Sequence, residues 1–157
     1  MTEQERNDYF YVCALIEYTA RETKNHRGDV VKAIGEEGIE KLLYDAEVNH
    51  CLSFEQVSDE VIDYYRIKEG DFDTISNCHY SVPSYLDIGK LYSIMIEDCA
   101  KPGDEVKELV KIFCSFISDD HIGVAPQCGQ LKPRMLKIQR FWAYILDFLY
   151  KYLDISS

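Results

Sequence analysis

The sequence predicts an all-α protein: a compact bundle of six or seven helices, in two half-domains that share one core. Three observations point there. Apolar residues recur at three-four spacing in at least five segments. Candidate N-caps and helix-stopping glycines and prolines fall between those segments. Only 8 Gly and 4 Pro occur among 157 residues, too few for a disordered chain. A chain of this length buries roughly 68–70% of its unfolded surface, so it needs no disulfide or metal staple.

The first helix is expected over residues 3–24, where Phe10, Cys13, Ala14, Ile16, Glu17 and Ala20 approximate one face. "KNHRGD" stops it, with Gly28 as terminator. "DVVKAIGEEG" follows as a short second helix, with Asp29 as N-cap and Gly35 near its end. A third, "EEGIEKLLYDAEVNH", carries Ile39, Leu42, Leu43 and Ala46. Ser53 then stands three residues before Gln56, the spacing of a capping box. It opens a fourth helix whose apolar face is Phe54, Val57, Val61, Ile62 and Tyr65.

Residues 67–83 break the helical pattern. They connect an acidic N-terminal half, residues 1–66, to a C-terminal half, residues 84–157, within one globular unit. Pro83 biases Val82 toward extended backbone, and Ser84 caps a fifth helix with Leu86, Ile88, Leu91, Ile94, Met95 and Cys99 on its buried face. "KPGD" is a corner and Asp104 the next N-cap. The sixth helix holds Val106, Leu109, Val110, Phe113, Phe116 and Ile117. After a second loop, a last helix is expected over residues 133–153, opened by Pro133. It is apolar on more than one face around Trp142. That makes it the central packing helix or, in the competing reading, a dimer or partner seam. The β-prone pieces "YSV" and "IGV" leave a minor ribbon open.

Charge narrows the function classes. The net charge is −11, and it is uneven: residues 1–80 hold 8 basic and 18 acidic residues, residues 81–157 hold 9 and 10. An acidic half of this kind repels nucleic acid and membrane surfaces and attracts a basic partner. No run approaches the ~20 apolar residues of a membrane span. The opening "MTEQERND" lacks the basic and apolar regions of a signal peptide. The expectation is a cytoplasmic protein whose six cysteines are thiols.

No constellation here carries chemistry. His50–Cys51 and Cys78–His79 are adjacent pairs, not the spaced pairs that zinc draws on. Cys78 or Cys128 with His121 lacks the glycine elbow of a nucleophile. "DFDTISN", residues 71–77, resembles the opening of a calcium loop. It has Ser76 and Val82 where that loop needs glycine and glutamate, so a capped acidic turn is expected. Glu17 falls on the apolar stripe of the first helix and needs a polar or cationic partner; it is expected at the stripe's edge or bonded to a tyrosine. The basic cluster Lys132, Arg134, Lys137 and Arg140 is expected to neutralise the acidic half, within the fold or in a dimer. The reading is therefore no catalytic residue, no cofactor and no metal.

Tyrosine is the residue type that stands out, with 12 copies. One ring offers apolar area and a hydroxyl together, which suits both a binding surface and the edge of a helical core. The candidate partner-binding residues are Tyr80, Tyr85, Tyr92, Tyr64 and Tyr65, with the acidic Asp59, Glu60 and Asp63 beside them in the chain.

Residues 10–65 carry "IEYTA", "DVVKAIGEEGI", "LLYDAEVNH" and "VSDEVIDYY". In these segments the chain resembles a small bacterial domain family of unknown function whose members stand beside ADP-ribosyltransferase-like toxin genes. The resemblance covers roughly a third of the chain and brings no functional residues with it. It implies an antitoxin-like or accessory role. Together these readings predict a non-enzymatic protein-interaction module that binds a toxin-like partner protein. The alternative is an acidic phage-type inhibitor of a nucleic-acid-binding defence protein. There the carboxylates of residues 36–73, 12 acidic against 3 basic, stand in for phosphates. Either way the partner is a protein, or a second copy of this chain, rather than nucleic acid or membrane.

Overall fold

The computed structural model describes residues 1–73, 75–76 and 82–115. The chain divides into two compact units, Met1–Val124 and Ala125–Ser157. The described residues belong to the first. They form six helices and no strands: α1 (Glu3–Thr23), α2 (Arg27–Tyr44), α3 (Ala46–Asn49), α4 (Phe54–Tyr65), α5 (Tyr85–Cys99) and α6 (Glu105–Phe113). The fold is all-α, as the periodicity predicts. The helix expected over residues 133–153, with Trp142, lies outside the described residues. So do the basic cluster, "IGV", Tyr80, Cys78, His79, His121 and Cys128.

Local signals set the helix ends. Thr2 and Glu5 make a capping box at α1, Ser53 and Gln56 at α4, and Ser84 and Asp87 at α5. Lys24 ends α1 in the left-handed conformation, φ 52 and ψ 44, and its N–H reaches Ala20 and Arg21 carbonyls. Gly28 is therefore not the terminator; it lies in the first turn of α2, which His26 rather than Asp29 precedes as N-cap. Its small size has another cause. A Cβ there would stand 2.9 Å from the Phe113 carbonyl oxygen, so glycine lets α2 meet the end of α6. Gly35, at φ 73 and ψ 169, is non-helical and divides α2 into two helical segments, the break expected between the second and third helices. Asp104 precedes α6 without a side-chain cap; its carboxylate pairs with Lys107 at 3.2 Å instead.

Among the described residues α1 is the central helix. It packs against α2, α3, α4 and α5, and every residue from Tyr11 to Glu17 is buried. The spacing predicts one buried stripe for this helix, but Tyr9, Tyr11 and the small residues are enclosed on the remaining faces too. Gly89 of α5 lies against Ala14 of α1, with room for no Cβ: one would come within 2.6 Å of the Ala14 Cα. The core draws on both sides of the 67–83 connection, from Tyr9 to Val61 and from Ile88 to Phe113.

Glu17 is the one buried carboxylate of that core, 1% exposed. Its partners are not tyrosines. Oε1 accepts from Arg21 Nε at 2.6 Å and from Arg27 Nη2 at 3.0 Å, and Oε2 accepts from Arg27 Nε. Arg21 also donates to the Pro83 carbonyl at 2.8 Å, so the cluster ties α1, the start of α2 and the approach to α5. The connecting segment is strapped to the same corner. Gly70 N–H bonds the Thr23 carbonyl, Phe72 N–H bonds the Lys24 carbonyl, both at 2.8 Å, and the Phe72 ring stacks on His26 at 3.7 Å. No described helix is long and apolar enough to cross a membrane.

Candidate protein-docking site

Four of the eight candidate partner-binding residues come together in space. Glu60, Asp63, Tyr64 and Tyr65, from the last two turns of α4, face Lys41, Leu42, Asp45 and Asn49 from the end of α2 and from α3. Between them runs an open groove of ≈ 480 Å³. Its floor is apolar, made by Leu42, Val57 and Val61, which are also core residues. Tyr64 stands on the lip at 73% exposed, in edge contact with Tyr65 at 4.8 Å.

The groove's shape follows from small residues and one aromatic. Tyr65 leans over α2 at Gly38, where a Cβ would stand 2.7 Å from the phenol oxygen. That half-buried seat raises the Tyr65 phenol above its ordinary range, mainly by burial and secondarily through Tyr64. On the opposite wall Lys41 donates to Asp45 at 2.5 Å, a bond that raises the lysine's pKa. This wall's charge is thereby neutralised locally. Glu60 and Asp63 have no basic partner among the described residues.

Three exposed apolar residues lie near groove residues in the chain. Tyr44, Val48 and Leu52 follow one another at four-residue spacing and are 87%, 69% and 41% exposed. Their chain neighbours Asp45 and Asn49 line the groove itself. Tyr44, Val48, Leu52 and Tyr64 are four of the six large apolar side chains left exposed among the described residues. Tyr44 was not among the partner-binding candidates, and neither were Val48 and Leu52. The signal available in the sequence was that both fall off the buried stripe Ile39, Leu42, Leu43, Ala46 in a segment otherwise rich in acids.

The other candidates lie elsewhere. Tyr92 is 1% exposed and stacks on Phe113 at 4.3 Å; it is a core residue, because helix phase turns it inward against α6. Tyr85 is half-buried, its ring edge-on to Tyr18 at 5.1 Å and Phe54 at 5.0 Å, so it clasps α5 to α1 and α4. Asp59 is exposed on α4 but does not line the groove; its charge lies near Tyr18. Tyr80 is outside the described residues.

The remaining polar candidates are occupied. His50 packs its ring on Tyr11 at 4.4 Å, and Tyr11 donates to the Asn49 carbonyl at 3.3 Å. Burial pushes the Tyr11 phenol up to about 12. Asp73 accepts from the backbone N–H of Ile75 and Ser76, both at 2.9 Å, the capped turn that "DFDTISN" predicts. Those bonds hold its carboxyl at about 2. Among the described residues no group of three or more His, Cys, Asp or Glu stands close enough to hold a metal ion. A second recess of ≈ 330 Å³ between α1 and α5 is bridged by the Arg6–Glu97 ion pair at 2.7 Å. Comparison with protein families, with curated proteins and with solved structures returns no match to this chain.

Proposed function

We propose that this chain is a non-enzymatic protein-interaction module, antitoxin-like or accessory in role, that binds a toxin-like partner protein through the groove between α2 and α4. The observation that carries this reading is the combination of an apolar floor, the exposed side chains of Tyr44, Val48 and Leu52 on the adjoining segment, and an aromatic lip at Tyr64. Isolated exposed apolar residues need no explanation, but a cluster of them beside a concave surface is what a protein partner covers. The resemblance of residues 10–65 to a family found beside ADP-ribosyltransferase-like toxins supplies the partner class.

The test co-expresses the tagged chain with the product of each neighbouring gene and measures complex formation. The variants are Tyr64→Ala and Val48→Asp, both at exposed positions, where the fold tolerates change within about 0.5 kcal/mol. The expected result is a complex with one neighbour that both variants weaken at least about tenfold. A complex that neither variant touches places the contact elsewhere and overturns the assignment.

One observation favours the second reading, an acidic inhibitor of a nucleic-acid-binding defence protein. It is the run of 12 acidic against 3 basic residues over 36–73. Phosphate mimicry makes affinity fall steeply with salt, whereas an apolar and aromatic contact keeps most of it. A salt titration of the complex separates the two.

A further inference from the structure

We infer that the segment of the partner that fills the α2–α4 groove is a positively charged amphipathic helix. This rests on the docking reading above and adds the chemistry of the occupant. The walls of the groove are helices, and all regular structure among the described residues is helical, so there is no strand edge for an extended peptide to join. The base of the groove, Leu42, Val57 and Val61, is already core, so the apolar contact offered to the stripe of a third helix comes chiefly from Tyr64 and the half-buried Tyr65 above that base. The α4 wall from Val57 to Tyr65 is about 13 Å long at 1.5 Å per residue, room for some two and a half turns and so for anchors at i, i+4 and i+7.

Charge then selects the occupant. Lys41 is taken up by Asp45, which leaves Glu60 and Asp63 at the lip as the charges with no basic partner among the described residues. They stand in a stretch where acids outnumber bases 12 to 3. An acidic or neutral helix seated there leaves these carboxylates repelled or desolvated without compensation, whereas lysine or arginine flanking the apolar stripe meets them. The Tyr64 ring, 73% exposed on the same lip, is within the reach of the same cations.

The experiment measures binding of three fluorescent 14-residue peptides to the full chain by anisotropy at physiological salt. The first has leucine at i, i+4 and i+7 with lysine between. The second replaces those lysines by glutamate. The third is a scramble of the first that destroys the stripe. The expected result is that the first binds at least about tenfold tighter than either of the others. The double variant Glu60→Lys/Asp63→Lys should remove that advantage. Glu22→Lys/Asp98→Lys, equal in charge but on α1 and α5, should change it less than about twofold, and circular dichroism checks that both variants keep their helices.

Equal binding of the scramble overturns the helical occupant. Equal loss in the two double variants overturns the site, since net charge alone then accounts for binding. Equal binding of the glutamate peptide, still lost in Tyr64→Ala, overturns the basic occupant while leaving the groove as the docking face. That last outcome separates the failure of this inference from the failure of the docking reading.

Discussion

Carboxylates occupy two opposite settings in this protein. Glu17 is enclosed, 1% exposed, and shared by Arg21 and Arg27. Glu60 and Asp63 are exposed on α4, at the lip of a groove, with no basic partner among the described residues. The first arrangement uses charge to fix which elements meet: one acid links α1, α2 and, through Arg21, the Pro83 carbonyl. The second leaves charge in water, where it contributes little to the fold and is available to a partner. The same functional group thus either fixes the structure or stays exposed at the surface, according to whether a counter-charge packs against it among the described residues.

The sharpest way to break this comparison is to remove Glu17. Glu17→Ala removes the buried carboxylate that pairs with Arg21 and with the Arg27 guanidinium, 3% exposed. Loss of one partner of a buried pair costs ~3–5 kcal/mol, a large part of a typical stability of ~5–15 kcal/mol. Urea denaturation followed by circular dichroism reads it, and a cost under ~1 kcal/mol removes Glu17 from the fold-determining class. Arg21→Met is the next largest. It deletes one charged bond to Glu17 and the bond to Pro83 while Arg27 still neutralises the acid. The expected cost is ~1.5–3 kcal/mol by the same measurement.

The exposed pair should behave in the opposite way. Glu60→Lys/Asp63→Lys changes stability by no more than about 0.5 kcal/mol per site. A larger loss in urea melts would mean that these charges also hold the fold. The smallest effect sharpens the comparison with a third setting. Asp73 is only partly covered, yet the Ser76 backbone N–H and side chain and the Ile75 N–H hold its carboxyl at about 2, below the ordinary 3.8. Because the folded value is the lower one, the turn's contribution is present above 3.8 and is lost as pH falls through about 2. A carboxyl-carbon NMR titration should give a midpoint near 2 for Asp73. A midpoint at the ordinary value shows that the turn is not formed in solution.

Several features were legible because their causes are local. Ser53 with Gln56 and the cap at Ser84 depend on residues three apart, and the kink at Gly35 on one residue's freedom at positive φ. The misplaced features depend on distant neighbours. Gly28 reads as a terminator, but the constraint on it is the Phe113 carbonyl. Glu17 reads as a carboxylate in need of a partner, but Arg27 sits ten residues on, in the next helix. Tyr92 and Tyr64 carry the same side chain, and only the packing of α5 against α6 makes one a core residue while α4 presents the other to solvent.

The candidate site divides along the same line. Glu60, Asp63, Tyr64 and Tyr65 were identifiable as a dense acidic and aromatic run at one helix end. Their opposite wall was not, since Lys41, Asp45 and Asn49 approach α4 only through the fold.

By itself the sequence determined the all-α class, the ends and breaks of most helices, the acidic character of residues 36–73 and the capped turn at Asp73. These are set by side-chain periodicity, by hydrogen bonds spanning two or three residues, and by composition. Only the tertiary structure decided that α1 is enclosed on all sides in its middle, that Glu17 answers two arginines, and that α2 and α4 leave a groove between them. Those outcomes depend on which helix faces meet, and that is fixed by close approaches between residues far apart in the chain, such as Gly89 on Ala14 and Tyr65 on Gly38. Local energetics favours each helix but carries no information about its neighbours.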